Sequence, residues 1–202
     1  MRFLRLGKAN ATALAVAFVF LGMASPAGAA DPEAGRQKAA PCAACHGEGG
    51  NSTNPAWPSL AAQPAQFVAT ALFQFREGNR KDPLMSPMAK GISNAEMSDL
   101  AAYFSAQKVE SPRHKTSPDN AAAGPGLAKR FNCTQCHGPA LRGQQHIPRI
   151  AGQQFEYLRV QLRGFKAGTR ADIDGNMTSA AQAVSDRDLE VLADYLAGLA
   201  AQ

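Results

Sequence analysis

Two stretches of this chain repeat one pattern of apolar positions at helical spacing. After Gln63-Pro64, the residues Phe67, Ala71 and Phe75 fall at i, i+4 and i+8, and after Gln153-Gln154, the residues Phe155, Leu158, Leu162 and Phe165 share one stripe. Each predicts an amphipathic helix, ended by Gly78 and Gly168. Further on, Ser93-Asn94-Ala95-Glu96 has the form of a capping box ahead of Met97, Leu100, Ala101 and Phe104. Ser185-Asp186-Arg187-Asp188 is a close copy ahead of Leu189, Leu192, Leu196 and Leu199. Asp31-Pro32-Glu33 starts an earlier helix, with proline just after a capping aspartate, predicted to run into Cys42. Gly126 to Phe131 plays that part in the second half. No segment shows sustained strand alternation. Residues 47–62 and 138–152, rich in Gly, Pro, Asn and Gln, are predicted loops.

The paired helices belong to a wider internal repeat. Pro58-Ser59-Leu60-Ala61-Ala62-Gln63 matches Pro148-Arg149-Ile150-Ala151-Gly152-Gln153, and Phe75-Arg76-Glu77-Gly78-Asn79-Arg80 matches Phe165-Lys166-Ala167-Gly168-Thr169-Arg170. Met85 and Ser93 match Met177 and Ser185, and Leu100 and Tyr103 match Leu192 and Tyr195. The expected fold is all-α, with two domains over 31–107 and 121–202 related by duplication. Residues 108–120 are polar, carry two prolines and no helical stripe, and are expected to be a linker.

Residues 1–30 read differently. A basic start (Arg2, Arg5, Lys8), an apolar run from Ala11 to Met23 and small residues up to Ala30 form the plan of a secretory signal peptide, with cleavage expected near Ala29 or Ala30. The 202-residue chain is formally +5, but three of those charges lie in the leader, leaving the remainder near +2. No cationic block marks a nucleic-acid partner. Each half is small enough that an apolar core alone is marginal and a covalent staple is common.

The candidate staple is the pentad Cys42-Ala43-Ala44-Cys45-His46, repeated as Cys133-Thr134-Gln135-Cys136-His137. The two pentads use all four cysteines and two of the four histidines. Disulfides are usual in exported proteins, but they leave the histidines unexplained. A thioredoxin-like pair or half a zinc site does not demand a histidine directly after the second cysteine. C-x-x-C-H reads as covalent attachment of a c-type haem. Two thiols on one side of a helix end meet the two vinyl groups, and the adjacent imidazole binds iron. Two covalently bound haem c groups are therefore expected, on Cys42, Cys45, Cys133 and Cys136, with His46 and His137 as axial ligands. The other ring nitrogen of each histidine needs a carbonyl acceptor. Pro58 and Pro148 are the repeat-supported candidates, unless they only shape the loops.

The ligand opposite the histidine decides what the haem does. An open position allows gas binding or peroxide chemistry, whereas a methionine sulfur fills it and raises the reduction potential. The second half contains one methionine, Met177. Repeat register then selects Met85 in the first half. Met88 requires a shifted loop, and Met97 is expected in the core.

On these residues the chain resembles the dihaem cytochrome c4 family, two class I cytochrome c domains in tandem. The resemblance implies His/Met ligation at both irons, domains facing each other through their haem edges, and a periplasmic electron carrier rather than an enzyme. Expected partners are redox proteins: a cytochrome bc1-type complex, a terminal oxidase or a dehydrogenase, with peripheral membrane association open. The alternative is a dihaem subunit of a larger periplasmic dehydrogenase, such as a sulfide or alcohol dehydrogenase. The repeated methionines argue against a dihaem peroxidase. The second haem loop departs from the first at Gly138 to Gly143, and Asp172-Ile173-Asp174-Gly175 has no counterpart motif. Trp57 is expected to pack near haem or close its loop, His114 to be solvated, His146 to lie at the surface or near a propionate, and Arg80 and Arg170 to sit near propionates or at exposed helix ends.

Overall fold

The computed structural model describes residues 29–201; apart from its last two residues, the expected leader lies outside them. The described residues are helical, with a single isolated bridge between Gln144 and Ile147 and no strand.

In the first unit α1 (Pro32–Lys38) is followed by α2 (Ala40–His46), α3 (Ala65–Arg76), α4 (Met85–Ala89) and α5 (Asn94–Ser105). Asp31 caps α1 by accepting from Glu33 N and Ala34 N. The expected continuous helix into Cys42 is broken at Ala39. The reason is Pro41, which has no N–H to return to residue 37 and whose ring crowds that turn. The capping box before α5 forms in both directions, Ser93 Oγ accepting from Glu96 N and Glu96 accepting from Ser93 N. The second unit repeats the plan: α6 (Pro118–Arg130), α7 (Cys133–His137), α8 (Phe155–Lys166), α9 (Asn176–Gln182) and α10 (Asp186–Gly198).

Two differences from the sequence reading stand out. The helix before the second pentad starts at Pro118, inside the expected linker and well before Gly126. Ser117 accepts from Asn120 N and Pro118 takes the first helical position, the same device as Asp31-Pro32. The two methionines also stand in short helices, α4 and α9, rather than in irregular loops.

In each unit the first helix crosses the last, α1 on α5 and α6 on α10, and the third packs beside them. Val68, Leu100, Ala101 and Phe104 form one core. Leu141, Leu158, Leu189, Leu192 and Leu196 form the other. Burying each large side chain contributes roughly 1.5–3 kcal/mol. Both haem loops close alike. In the first, Leu60 N and Ala61 N donate to Gly50 O and Ala62 N to Phe104 O; in the second, Ile150 N and Ala151 N donate to Leu141 O and Gly152 N to Leu196 O. Leu141, at φ 56°, holds the left-handed conformation that Gly50 holds at 79°. The divergent sequence of the second loop thus leaves its closure intact.

Candidate haem sites and the seam between them

Each pentad ends a helix, with its histidine as the last helical residue. Gly47 follows His46 at φ 77°, and a Cβ there would stand 2.1 Å from Asn51 O, so the tight turn needs glycine. The turn leaves His46 and His137 buried, at 7% and 4% exposure. Nδ1 of His46 donates to Pro58 O and Nδ1 of His137 to Pro148 O, both at 2.8 Å. Burial pushes both imidazoles below the ordinary histidine value, against the smaller opposing effect of these carbonyls. A neutral ring with its proton committed at Nδ1 keeps the Nε2 lone pair for a metal. The four thiols are unpaired; Cys45 and Cys136 are exposed, Cys42 and Cys133 half-buried, with burial pushing the last two up.

Met85 opens α4 and Met177 lies at the start of α9, both half-buried. Met88 is 53% exposed, and Met97 lies in the core at 3%. Both methionine segments hang on an aspartate. Asp82 Oδ1 accepts from Met85 N at 2.8 Å, and Asp172 Oδ2 from Met177 N at 2.9 Å. Asp172 does, then, have a counterpart in the first half, namely Asp82; the insertion behind it hid the match. His146 Nε2 lies 3.2 Å from Asp174 Oδ2 and ties the second haem loop to the second methionine segment.

The histidine-bearing loops meet face to face. Gln153 grips Ser59 of the first unit, and Gln63 grips Arg149 of the second. Gln154 Nε2 donates to Ser52 O at 2.6 Å, and Tyr157 N donates to Pro55 O at 3.0 Å. Arg80 reaches across to Tyr157 Oη and Gln161 Oε1, both at 3.1 Å, and Arg170 meets the same Gln161. Burial pushes the Tyr157 hydroxyl up, but Arg80 and Arg170 outweigh it and hold it below the usual tyrosine value. Trp57 is half-buried on the loop before Pro58.

His114 is not solvated. Its ring stacks on Phe155 at 4.9 Å, and Nε2 lies 2.5 Å from Asp194 Oδ1. The linker is thereby fastened to the second unit, while Asn51 accepts from Glu110 N and fastens its other end to the first.

A cytochrome c family profile matches residues 32–108 and again 121–200. The chain is 36% identical over 181 residues to cytochrome c4 of Thiocapsa roseopersicina, covering 84% of this chain and 93% of that one. The chain belongs to the dihaem cytochrome c4 family. The crystal structure of reduced recombinant cytochrome c4 from Pseudomonas stutzeri superposes with a TM-score of 0.79 at 33% identity, over 85% of this chain and 100% of that one. A thiosulfate dehydrogenase electron acceptor from Thiomonas intermedia is 38% identical, over 84% of this chain and 81% of its own. As a cytochrome c4 the chain carries two covalently bound haem c groups in two tandem cytochrome c domains. It is an electron-transfer protein, not an enzyme.

The seam between the domains fits the anionic side of two haems. Arg80 and Arg149 bond across it, Arg170 meets the same Gln161 as Arg80, and none of the three forms an ion pair among the described residues. Arg149 is 2% exposed, and burial alone pulls its guanidinium down to about 10. Burial also pulls Arg170 down to about 10. Nε of both arginines is buried without a partner. Buried cations call for anions, and haem propionates have that charge. The sequence leaves two places open for Arg80 and Arg170, and both arginines stand at the seam. Tyr157 and Gln161 carry no repeat signal. Gln63, Gln153 and Arg149 lie in the matched Pro58–Gln63 and Pro148–Gln153 segments, and Asp82 and Asp172 each stand two residues after Arg80 and Arg170, so the repeat register marks these five without saying what they grip.

Proposed function

We propose that this chain is a periplasmic carrier of single electrons, with His46 and Met85 as axial ligands of one haem and His137 and Met177 of the other. Cys42 and Cys45 attach the first haem, Cys133 and Cys136 the second. Pro58 and Pro148 hold the histidines from behind. The observation that carries the reading is the duplicated 2.8 Å bond from a buried, neutral histidine to a proline carbonyl, with a methionine tethered in the same register of each half. The haems supply a one-electron couple, and the chain sets its potential and presents it to partners. A buried apolar setting and a thioether ligand both favour the less charged ferrous state.

The first domain extends over 31–107 and the second begins with α6 at Pro118 rather than at 121, behind a leader cleaved near residues 29–30. The carrier passes electrons between respiratory complexes or dehydrogenases and a terminal acceptor. Similarity to the Thiomonas intermedia electron acceptor supports a thiosulfate-oxidising dehydrogenase as one electron source. Among the described residues no helix is long and apolar enough to cross a membrane.

The test is the oxidised spectrum of wild type, Met85→Ala and Met177→Ala. Each substitution is expected to remove about half of the methionine-to-iron charge-transfer band. A variant that leaves the band whole refutes that methionine as ligand, and a Met88→Ala variant that halves it would move the first ligand to Met88.

A further inference from the structure

Gln63 and Gln153 each close a two-pronged grip on the opposite domain. Gln153 Oε1 accepts from Ser59 N at 2.7 Å while its Nε2 donates to Ser59 O at 2.9 Å. Gln63 Oε1 accepts from Arg149 N at 2.9 Å while its Nε2 donates to Arg149 O at 3.0 Å. Both glutamines are buried, at 1% and 4% exposure. The gripped N–H groups belong to two particular peptides, Pro58–Ser59 and Pro148–Arg149. The carbonyls of those same peptides accept from His46 Nδ1 and His137 Nδ1. Each chain of hydrogen bonds therefore runs imidazole to carbonyl, then N–H of the same peptide to a glutamine oxygen of the other domain.

The geometry points to Gln153 and Gln63 as crossed positioning residues, Gln153 tuning the first-domain haem through His46 and Gln63 tuning the second-domain haem through His137. The inference rests on the axial roles proposed above for the two histidines. An acceptor on a peptide N–H polarises that peptide and strengthens its carbonyl as an acceptor, because hydrogen bonds in series reinforce one another in a low dielectric. A stronger acceptor at Nδ1–H makes the imidazole a more basic ligand. A more basic ligand favours the ferric state and lowers the potential. Removing a glutamine side chain thus raises the potential of the haem in the domain that does not contain it. A merely structural glutamine has no reason to act across the seam on one haem alone.

The experiment is a redox titration of the full haem-loaded protein followed by NMR, with haem methyl signals assigned to each domain. Gln153→Met, close to glutamine in volume but without an amide, is expected to raise the first-domain potential and leave the second in place. Gln63→Met is expected to do the reverse. The expected shift is a several-fold to tenfold change in the electron equilibrium, tenfold being about 59 mV for one electron. Gln153→Ala carries the same expectation should the thioether disturb the seam. A shift confined to the glutamine's own domain, an equal shift of both haems, or no shift overturns the inference. His46→Ala separates the two layers. If the first haem stays low-spin in that variant, the axial assignment falls. If it turns high-spin while Gln153→Met moves neither potential, the axial assignment stands and crossed tuning is refuted.

Discussion

Gly124 faces Tyr195 with no room between them: a methyl group at Gly124 would stand 2.2 Å from Tyr195 Cγ. The first domain crosses its helices on the same device, since a Cβ at Gly35 would stand 2.1 Å from Asp99 O and 2.8 Å from Tyr103 Cβ. The clash at Gly124 involves the stem of the tyrosine, which cannot swing away. Gly124→Ala is therefore expected to lower stability by about 1–3 kcal/mol, the usual scale of overpacking. Gly126, two residues on in α6, meets nothing within 4 Å. Gly126→Ala is expected to raise stability by about 0.5–1 kcal/mol through helix propensity alone. Denaturant midpoints of the haem-loaded variants check both signs, and equal responses would remove the close crossing from this account.

Asp194 is the anchor of the linker. It accepts from Asn120 Nδ2 at 2.8 Å and Ser117 N at 3.1 Å, and it faces His114. Burial raises its carboxyl, but these donors outweigh burial and hold it below the usual carboxylate value. A depressed folded-state value means that the carboxylate stabilises the fold above its unfolded value of about 3.9, and that this contribution is lost as pH falls through the folded value. Wild type is expected to lose stability below about pH 4 more steeply than Asp194→Asn. At neutral pH Asp194→Ala is expected to cost about 1–3 kcal/mol, because several donors lose a charged acceptor at once. Thermal melts from pH 3 to 7 give both readings.

Capping chemistry and apolar stripes made most helices legible: Asp31-Pro32, the Ser93–Glu96 box and the Phe155–Phe165 stripe each became a helix. These signals are local, so they survive without tertiary context. Pro41 is an equally local signal, and it marks the break in the first helix. Ser117-Pro118 was missed because Ala and Gly after it make no stripe. The seam was beyond reach for a different reason. Its bonds join residues 77 to 102 positions apart, and a glutamine that grips a foreign peptide looks in sequence like any loop glutamine. His114 looked solvated because its partners, Phe155 and Asp194, lie on two distant helices.

Arg149 stands where the first repeat has Ser59, and its side chain adds one bond across the seam and one within its own domain. Its guanidinium donates to Ala61 O of the first domain at 3.0 Å and to Ala151 O of its own. A lysine keeps the charge but presents a single ammonium in place of the fork. Arg149→Lys is expected to lower stability by about 1–3 kcal/mol, the cost of leaving one buried carbonyl without a donor. Arg149→Ser, which copies the first repeat, abandons both carbonyls and is expected to cost more. Unfolding followed separately by the two haem environments checks this, and a lysine variant as stable as wild type would show that the fork adds nothing.

The two methionine segments differ in how firmly their aspartates hold them. Asp82 accepts from Leu84 N and Met85 N, and its own N–H donates to Ser86 Oγ. Asp172 accepts from Met177 N, Thr178 N and Thr178 Oγ1, across a longer excursion of chain. Losing a capping side chain costs about 1 kcal/mol, and here the loss falls on the segment that presents the sulfur. With Met85 and Met177 as the proposed ligands, Asp82→Ala and Asp172→Ala are therefore expected to keep both haems attached but to release methionine from iron at lower temperature. Asp172→Ala is expected to have the larger effect, since the longer excursion has more conformational freedom to regain once its aspartate is gone. Thr178→Val, which removes the hydroxyl bond and leaves the two amides capped, falls between wild type and Asp172→Ala. The charge-transfer band followed during heating ranks the variants, and a band that melts together with global unfolding in all of them would show that the aspartates do not control the methionine.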